Sequence, residues 1–339
     1  MKHKKKLVAV ALASAMLVTT CFGLSGCSQT NETGLKTVQL CEVTHSLFYA
    51  PQYVAMAESF FEDEGLQISL TNGGGADKVM AAILSDNMDV GLAGPESCIY
   101  VYKEGKADSP KVFAQLTKRD GSFLIAKDPV DNFEWNDLKG KTVIPGRKGG
   151  VPFMTFSYVL QKNGLTPGVD VTLDDSIQFD LMAGAFAGGQ ADYVTLFEPT
   201  ASTIVQQGKG YYATSVGAQS GEIPYTAYFA KQSYMEKNPD VIQGITNAIA
   251  RGQDWVMTHS AEEIAQAIAY QFPDTDMDSL ILGIQSYLDI DAWNQDPVMK
   301  EESLAHLQEV IIQSGELEQA VPFDAIVDNQ YAQKAALTA

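Results

Sequence analysis

The sequence predicts an α/β protein built of two lobes joined by two crossings. Three observations carry this. Strand-like and helix-like segments alternate from residue 38 onward, which is the pattern of parallel sheets covered by helices. The same series starts again near Lys141. Two apolar, β-like segments, 122–126 and 225–229, flank that second series. They are the natural places for the chain to pass between lobes.

The elements follow in order. Residues 38–43 make a short strand. Pro51 suits the first position of a helix running to Glu64, with Tyr53, Val54, Ala57 and Phe61 on one apolar face and Gly65 as its stop. Leu66, Ile68 and Leu70 alternate as a strand. The loop Asn72-Gly73-Gly74-Gly75 opens a helix over 76–85. A strand over 89–93 leads to Gly94-Pro95-Glu96, the start of the next helix, and 112–116 and 123–126 are further strands. In the second series, 141–144 is a strand, 145–150 a glycine-rich loop, and 151–163 a helix stopped by Gly164. A helix near 180–187 precedes the strand 193–196. Glu198-Pro199 opens another helix, and 211–215 and 223–230 are strands. From Ser233 the pattern is helical nearly to the end, with starts at Asn238-Pro239, Ser260-Ala261-Glu262 and Asp296-Pro297. The lobes are expected as 36–125 plus 226–323 and as 126–225.

The first residues have a different grammar. Met1 to Lys6 is basic, 7–22 is an apolar run broken only by Ser and Thr, and Leu24-Ser25-Gly26-Cys27 follows. That is the order of an export signal with an apolar core short for a membrane span. A Cys after Leu-Ser-Gly resembles the lipobox of bacterial lipoproteins. The resemblance implies a signal over 1–27 with Cys27 lipidated, and a cell-membrane protein on the extracytoplasmic face, held by its lipid alone. The polar stretch 28–36 is its flexible tether.

Formal charge is −19, and setting aside the leader's lysines makes the body more acidic still. Such a body excludes nucleic acid as a partner and does not lie on anionic lipid. The only arginines are Arg119, Arg147 and Arg251. Cys41 and Cys98 lack metal-type spacing and are either one disulfide or two buried thiols. The histidines are scattered. No metal and no cofactor are expected.

In open α/β sheets a ligand binds beyond the carboxyl ends of the strands, against helix N-termini. The loops concerned are 45–49, 72–76, 94–97, 146–153 and 197–200. They and their neighbours supply the candidate ligand-binding residues. His45, Ser46, Phe48 and Tyr49 follow the first strand. Gly75, Ala76 and Glu96 open two helices. Arg147, Gly149, Gly150, Val151 and Phe153 open a third, Phe197 and Glu198 a fourth, and Tyr225 adjoins the second crossing.

Several stretches are similar to the solute-binding receptors of ABC importers for nitrate, sulfonates, taurine and thiamine-precursor pyrimidines. They are Tyr53-Val54-Ala55 with Phe60-Phe61-Glu62-Asp63-Glu64-Gly65-Leu66, Gly73-Gly74-Gly75-Ala76-Asp77, Gly140-Lys141-Thr142-Val143 leading to Gly146-Arg147-Lys148-Gly149-Gly150-Val151-Pro152, and Asp192-Tyr193-Val194-Thr195-Leu196-Phe197-Glu198-Pro199. The resemblance covers nearly the whole chain after the leader. It implies a bilobal periplasmic-binding-protein fold with two interlobe crossings (type II-like), and a monomer. Such a protein captures a small ligand between the lobes and hands it to the transmembrane subunits of an ABC permease, with no chemistry of its own. The alternatives are an enzyme on the same fold, like those of pyrimidine synthesis, and a receptor feeding a membrane sensor. The enzymes need a cysteine-rich iron motif, which this chain lacks.

The residues leave the ligand open between a sulfonate or carboxylate anion and a planar heterocycle. Arg147 beside helix amides could grip an anion, or pair with a surface acid. Arg119 could line the cleft, or form an internal salt bridge. Gly149 and Gly150 suit close backbone approach to a ligand. The aromatics could sandwich a flat ring, with about half of them expected in the core. Glu198 and Glu96 each complement a helix dipole, and could accept ring N–H bonds as well.

Overall fold

Ten strands organise the described residues of the computed structural model, 34–337. The leader, Cys27 and tether residues 28–33 lie outside them. The strands are β1 (Lys36–Glu42), β2 (Leu66–Asn72), β3 (Val90–Ala93), β4 (Pro110–Thr117), β5 (Phe123–Ala126), β6 (Thr142–Ile144), β7 (Thr172–Leu173), β8 (Tyr193–Leu196), β9 (Tyr211–Ser215) and β10 (Thr226–Lys231). They form two five-stranded sheets, ordered β2-β1-β3-β10-β4 and β7-β6-β8-β5-β9. In each sheet a parallel trio comes first: β2, β1 and β3 in one, β7, β6 and β8 in the other. An antiparallel strand then docks on the trio, β10 on β3 and β5 on β8. The central strands β3 and β8 are buried along their whole length, as strands covered by helices on both faces must be.

The two β-like segments flanking the second series are not themselves the crossings. β5 pairs wholly in the second sheet and β10 wholly in the first. The expected boundary at 125/126 therefore moves toward the N-terminus, and residues 123–125 belong with the second lobe. The reason is pairing: an apolar strand between two sheets would leave its amides unbonded, so it joins one of them. The crossings are the segments 118–122 and 216–225, the second of which holds the short helix Gly217–Ser220. They run side by side, with Val216 N donating to Ser122 O at 3.0 Å, Ile223 N to Lys118 O at 2.9 Å and Tyr225 N to Thr117 O at 3.2 Å. Their approach is close enough that a Cβ on Gly217 would stand 1.9 Å from Asp120 O.

Two helical expectations also change, and one helix start is new. The helix expected over 51–64 is two, Ala50–Ala57 and Phe60–Asp63, because Ser59 takes a left-handed φ of 59° between them. That turn swings Phe61 into the core. The start expected at Asp296-Pro297 comes later, at Glu301. Asp296 Oδ1 accepts from Val298 N at 2.8 Å and makes a local turn in its place. Asp276 caps the helix Met277–Asp289 by accepting from Ser279 N at 2.9 Å, a start absent from the sequence reading.

The C-terminal helices belong mostly to the first lobe. Pro239–Thr258 packs on Ala50–Ala57, and Gln330–Ala336 packs on Pro239–Thr258, so this lobe runs past the expected limit at residue 323. Two of them also reach the second lobe. Tyr287 OH accepts from Glu198 N at 2.9 Å, and His306 Nε2 lies 3.3 Å from Tyr158 OH.

Candidate ligand-binding cleft

The carboxyl ends of β1, β3, β6 and β8 point into one space between the two sheets. A cavity of about 470 Å³ lies there, lined from both lobes. From the first lobe come Val43, Thr44 and Tyr49 after β1, Gly94 and Glu96 after β3, and Tyr225 at the head of β10. From the second come Arg147, Lys148, Gly149, Gly150, Val151 and Pro152 after β6, with Phe179 and Phe197.

Two helices add walls that the sequence reading did not assign. Asp77, Met80, Ala81 and Leu84 of Ala76–Leu84 face the cavity, as do Ser97, Tyr100, Val101 and Glu104 next to Glu96. Each set is spaced i, i+3, i+4, i+7, one face of a helix. That periodicity was present in the sequence and could have named them. Phe179 sits in a single 3-10 turn, Phe179–Leu181, and carried no such signal.

The candidates divide accordingly. Tyr49, Gly75, Ala76, Glu96, Arg147, Gly149, Gly150, Val151, Phe197 and Tyr225 line the cavity. His45, Ser46, Phe48, Arg119, Phe153 and Glu198 do not, and each has a local reason. His45 Nδ1 lies 2.7 Å from Glu42 Oε1, its Nε2 lies 3.0 Å from Gln271 O, and its ring stacks on Phe272 at 4.6 Å. Burial opposes its charge, but the Glu42 carboxylate outweighs that and raises its pKa. Ser46 caps the turn Leu47–Tyr49 and donates its hydroxyl to Glu198 O at 2.6 Å. Within that turn successive side chains diverge by a third of a circle. Tyr49 thus meets the cavity while Phe48 is fully buried among Phe197, Tyr225 and Tyr287. Phe153 is half-buried against the core, one step around the helix Val151–Lys162 from Pro152. Arg119 takes the salt-bridge alternative, with Nη2 3.6 Å from Asp291 Oδ2. Glu198 turns away from the cavity: Oε2 accepts from Ser202 N at 3.0 Å and Oε1 accepts from the Tyr212 hydroxyl.

Of the charged residues in the cavity wall, Asp77, Glu96, Glu104, Arg147 and Lys148, two are candidates for ligand recognition. Arg147 is half-exposed, and its Nη1 lies 3.3 Å from both Asp77 Oδ2 and Gln178 Oε1. The surface-pair alternative describes it. Glu96 differs. It is 2% exposed, and its Oε1 accepts from Val151 N of the opposite lobe at 3.3 Å. Its Oε2 is buried without a partner. Burial pushes this carboxyl up to about 7, against the lowering effect of the amides of Glu96, Val151 and Ser97. The carboxyl folds back over Gly94, where a Cβ would stand 1.9 Å from Oε2. Glycine at 94 is what leaves the room.

Other hydrogen bonds tie the lobes around the cavity. Tyr100 OH donates to Gly149 O at 2.8 Å, and Leu47 N donates to Glu198 O at 3.0 Å. Gly149 holds φ +84°, a backbone that non-glycine residues rarely adopt. Cys41 and Cys98 are two buried free thiols. Among the described residues no three His, Cys, Asp or Glu stand together as a metal site, and no helix there is long and apolar enough to cross a membrane.

Residues 48–263 match the family described as NMT1/THI5 like. The chain belongs to this NMT1/THI5-like family. Among curated relatives, "Putative binding protein YtlA" of Bacillus subtilis (strain 168) is 43% identical over 313 residues, covering 92% of this chain and 93% of the relative. The fold of this family member is that of periplasmic binding proteins. The alkanesulfonate-binding protein SsuA from Xanthomonas axonopodis pv. citri, solved with MOPS, superposes with a TM-score of 0.67 at 14% identity, over 88% of this chain and 97% of that one. The periplasmic nitrate-binding protein NrtA from Synechocystis PCC 6803 gives 0.68 at 17% identity, over 89% of each chain. At these identities the likeness is one of fold.

Proposed function

We propose that this family member is the extracytoplasmic solute-binding lipoprotein of an ABC importer. It captures a small organic ligand in the interlobe cavity and delivers it to the permease unchanged. The observation that carries the reading is a cavity of about 470 Å³ walled by both lobes, where the strand ends of two sheets meet. Its size falls in the range of small-molecule sites, and its lining is mainly apolar with few polar groups, as such sites are. Tyr49, Phe197, Phe179 and Tyr225 line it and favour a ligand with a flat part. The relative at 43% identity bears the name of a binding protein, which supports binding over catalysis.

A thermal-shift screen of sulfonates, carboxylates, pyrimidines and flavin-like rings tests this. A ligand present at a hundred times its Kd adds about 2.7 kcal/mol to the folded state. A screen in which no small molecule raises the Tm would count against the reading. With any ligand so found, Arg147→Ala is expected to change affinity by less than about threefold, because its guanidinium is already engaged by Asp77 and Gln178. A tenfold loss in calorimetry would restore the anionic alternative.

Membrane attachment rests on Leu24-Ser25-Gly26-Cys27 behind the basic, apolar leader. Cys27→Ser is expected to block lipid attachment and release the protein. Equal incorporation of a radioactive fatty acid by wild type and variant would refute this.

A further inference from the structure

We propose that Glu96 is the polar recognition group of the cleft, and that the ligand presents an N–H-bearing nitrogen to it: an ammonium, or a ring with an amidine-like edge. This deepens the reading of the cavity as a ligand site and rests on it. The argument begins with an unmet demand. A carboxyl oxygen without a hydrogen-bond partner in a buried position is costly, and Glu96 Oε2 is one. The amides of Glu96 and Ser97 lie close enough to lower the carboxyl's pKa but complete no hydrogen bond of good geometry to Oε2. The second oxygen is already engaged by Val151 N. Arg147, the cavity's guanidinium, is held by Asp77 and Gln178. Glu198, the other carboxyl considered for such a role, has both oxygens occupied. Among the cavity's acids, Glu96 therefore combines burial with an unfilled acceptor. The rest of the charged wall is mixed: Asp77 and Glu104 line it together with Arg147 and Lys148, but Arg147 is paired with Asp77 at 3.3 Å and Lys148 with Glu316 at 3.5 Å, so both cations of the lining already have acidic partners other than Glu96.

Glu96 also links the two lobes. It belongs to the helix Glu96–Lys103 of the first lobe, and its Oε1 accepts the first amide of the helix Val151–Lys162 of the second. A cation or N–H donor on Oε2 keeps the carboxyl ionised, and an ionised carboxylate is the stronger acceptor for Val151 N. One side chain thus reports the ligand's head group to the contact across the cleft.

The test uses three probes with one ring and different head groups: benzamidine, benzylamine and benzenesulfonate. Each is titrated by calorimetry and thermal shift into wild type, Glu96→Gln and Glu96→Asp. Benzamidine or benzylamine is expected to bind wild type more tightly than benzenesulfonate does. Glu96→Gln is expected to lose roughly ten- to a hundredfold in that affinity, the effect of one hydrogen bond to a charged group. Glu96→Asp should recover part of the loss. Glu96→Gln should keep or raise the Tm without probe, which separates recognition from a purely structural cap. Unchanged benzamidine binding by Glu96→Gln would overturn the proposal. So would tighter binding of benzenesulfonate, which would still leave the cavity a small-ligand site. Wild type binding none of the three would remove both the proposal and its premise for ring ligands of this size.

Discussion

Gly217→Ala is expected to lower stability by about 3 kcal/mol, toward the upper end of what overpacking costs. A methyl at this position would stand 1.9 Å from Asp120 O and 3.3 Å from Ile290 Cδ1. The first obstacle is backbone, which cannot rotate aside. The two crossings would have to separate, and with them the hydrogen bonds Val216 N to Ser122 O and Ile223 N to Lys118 O. Urea unfolding of both proteins measures the difference. Gly184→Ala is the control. Gly184 is an exposed helical glycine with nothing within 4 Å of its would-be Cβ, and alanine there should stabilise by roughly 0.5–1 kcal/mol. A Gly217→Ala protein as stable as wild type would mean that the crossings do not pack as described.

The ligand-free protein is expected to be more stable near pH 5 than near pH 8. Two fully buried carboxyls contribute to this, and the raised pKa values of buried Glu42 and of His45 act in the same direction. Burial pushes both Glu96 and Asp120 up to about 7, from ordinary values of 4.5 and 3.8. Asp120 sits at the first crossing, where Oδ1 accepts from Ser122 N at 2.7 Å. Its Oδ2 and the nearby Tyr225 hydroxyl complete no hydrogen bond of good geometry. Between the ordinary values and about pH 7, the folded protein holds protons that the unfolded chain releases. Stability is therefore greatest below the ordinary values and is lost as pH rises through about 7. At about 1.4 kcal/mol per unit, each carboxyl contributes on the order of 3 kcal/mol to the fall. Denaturant unfolding from pH 5 to pH 8 reads it directly. Glu96→Gln with Asp120→Asn should make the profile shallower, leaving what Glu42 and His45 contribute. A double variant whose profile parallels wild type would refute the assignment. An N–H donor bound at Glu96 should also reduce the fall, which links this measurement to recognition.

Much of the architecture could be read along the chain because it depends on local rules. Alternation of Leu66, Ile68 and Leu70, the glycine at 65, the proline at 51 and the restart at Lys141 each act over a few residues. Ligand loops at strand ends follow from parallel topology, so the loops holding Tyr49, Gly75, Glu96, Gly150 and Phe197 could be placed without coordinates. Helix spacing also places Tyr100 and Met80, four residues beyond Glu96 and Ala76, on the same faces.

What the sequence alone could not decide was direction and company. Phe48 and Tyr49 are adjacent aromatics in one short turn, and only the packing of Tyr287 and Phe197 around Phe48 sends one to the core and the other to the cavity. Glu96 and Glu198 open helices with the same dipole logic. Tertiary structure gives Glu198 a hydroxyl and an amide, and leaves Glu96 with one oxygen unpaired. Arg147 is committed by Asp77, which lies 70 residues away in sequence and in the other lobe. The crossings moved because backbone amides on β5 and β10 find partners only within a sheet. For Phe48, Arg147 and the crossings the deciding contact joins residues far apart in the chain, whereas Glu198 is settled by Ser202 and Tyr212, 4 and 14 residues away. Propensity and periodicity act within a few residues, whereas burial, charge pairing and hydrogen-bond satisfaction depend on neighbours that only the folded chain supplies.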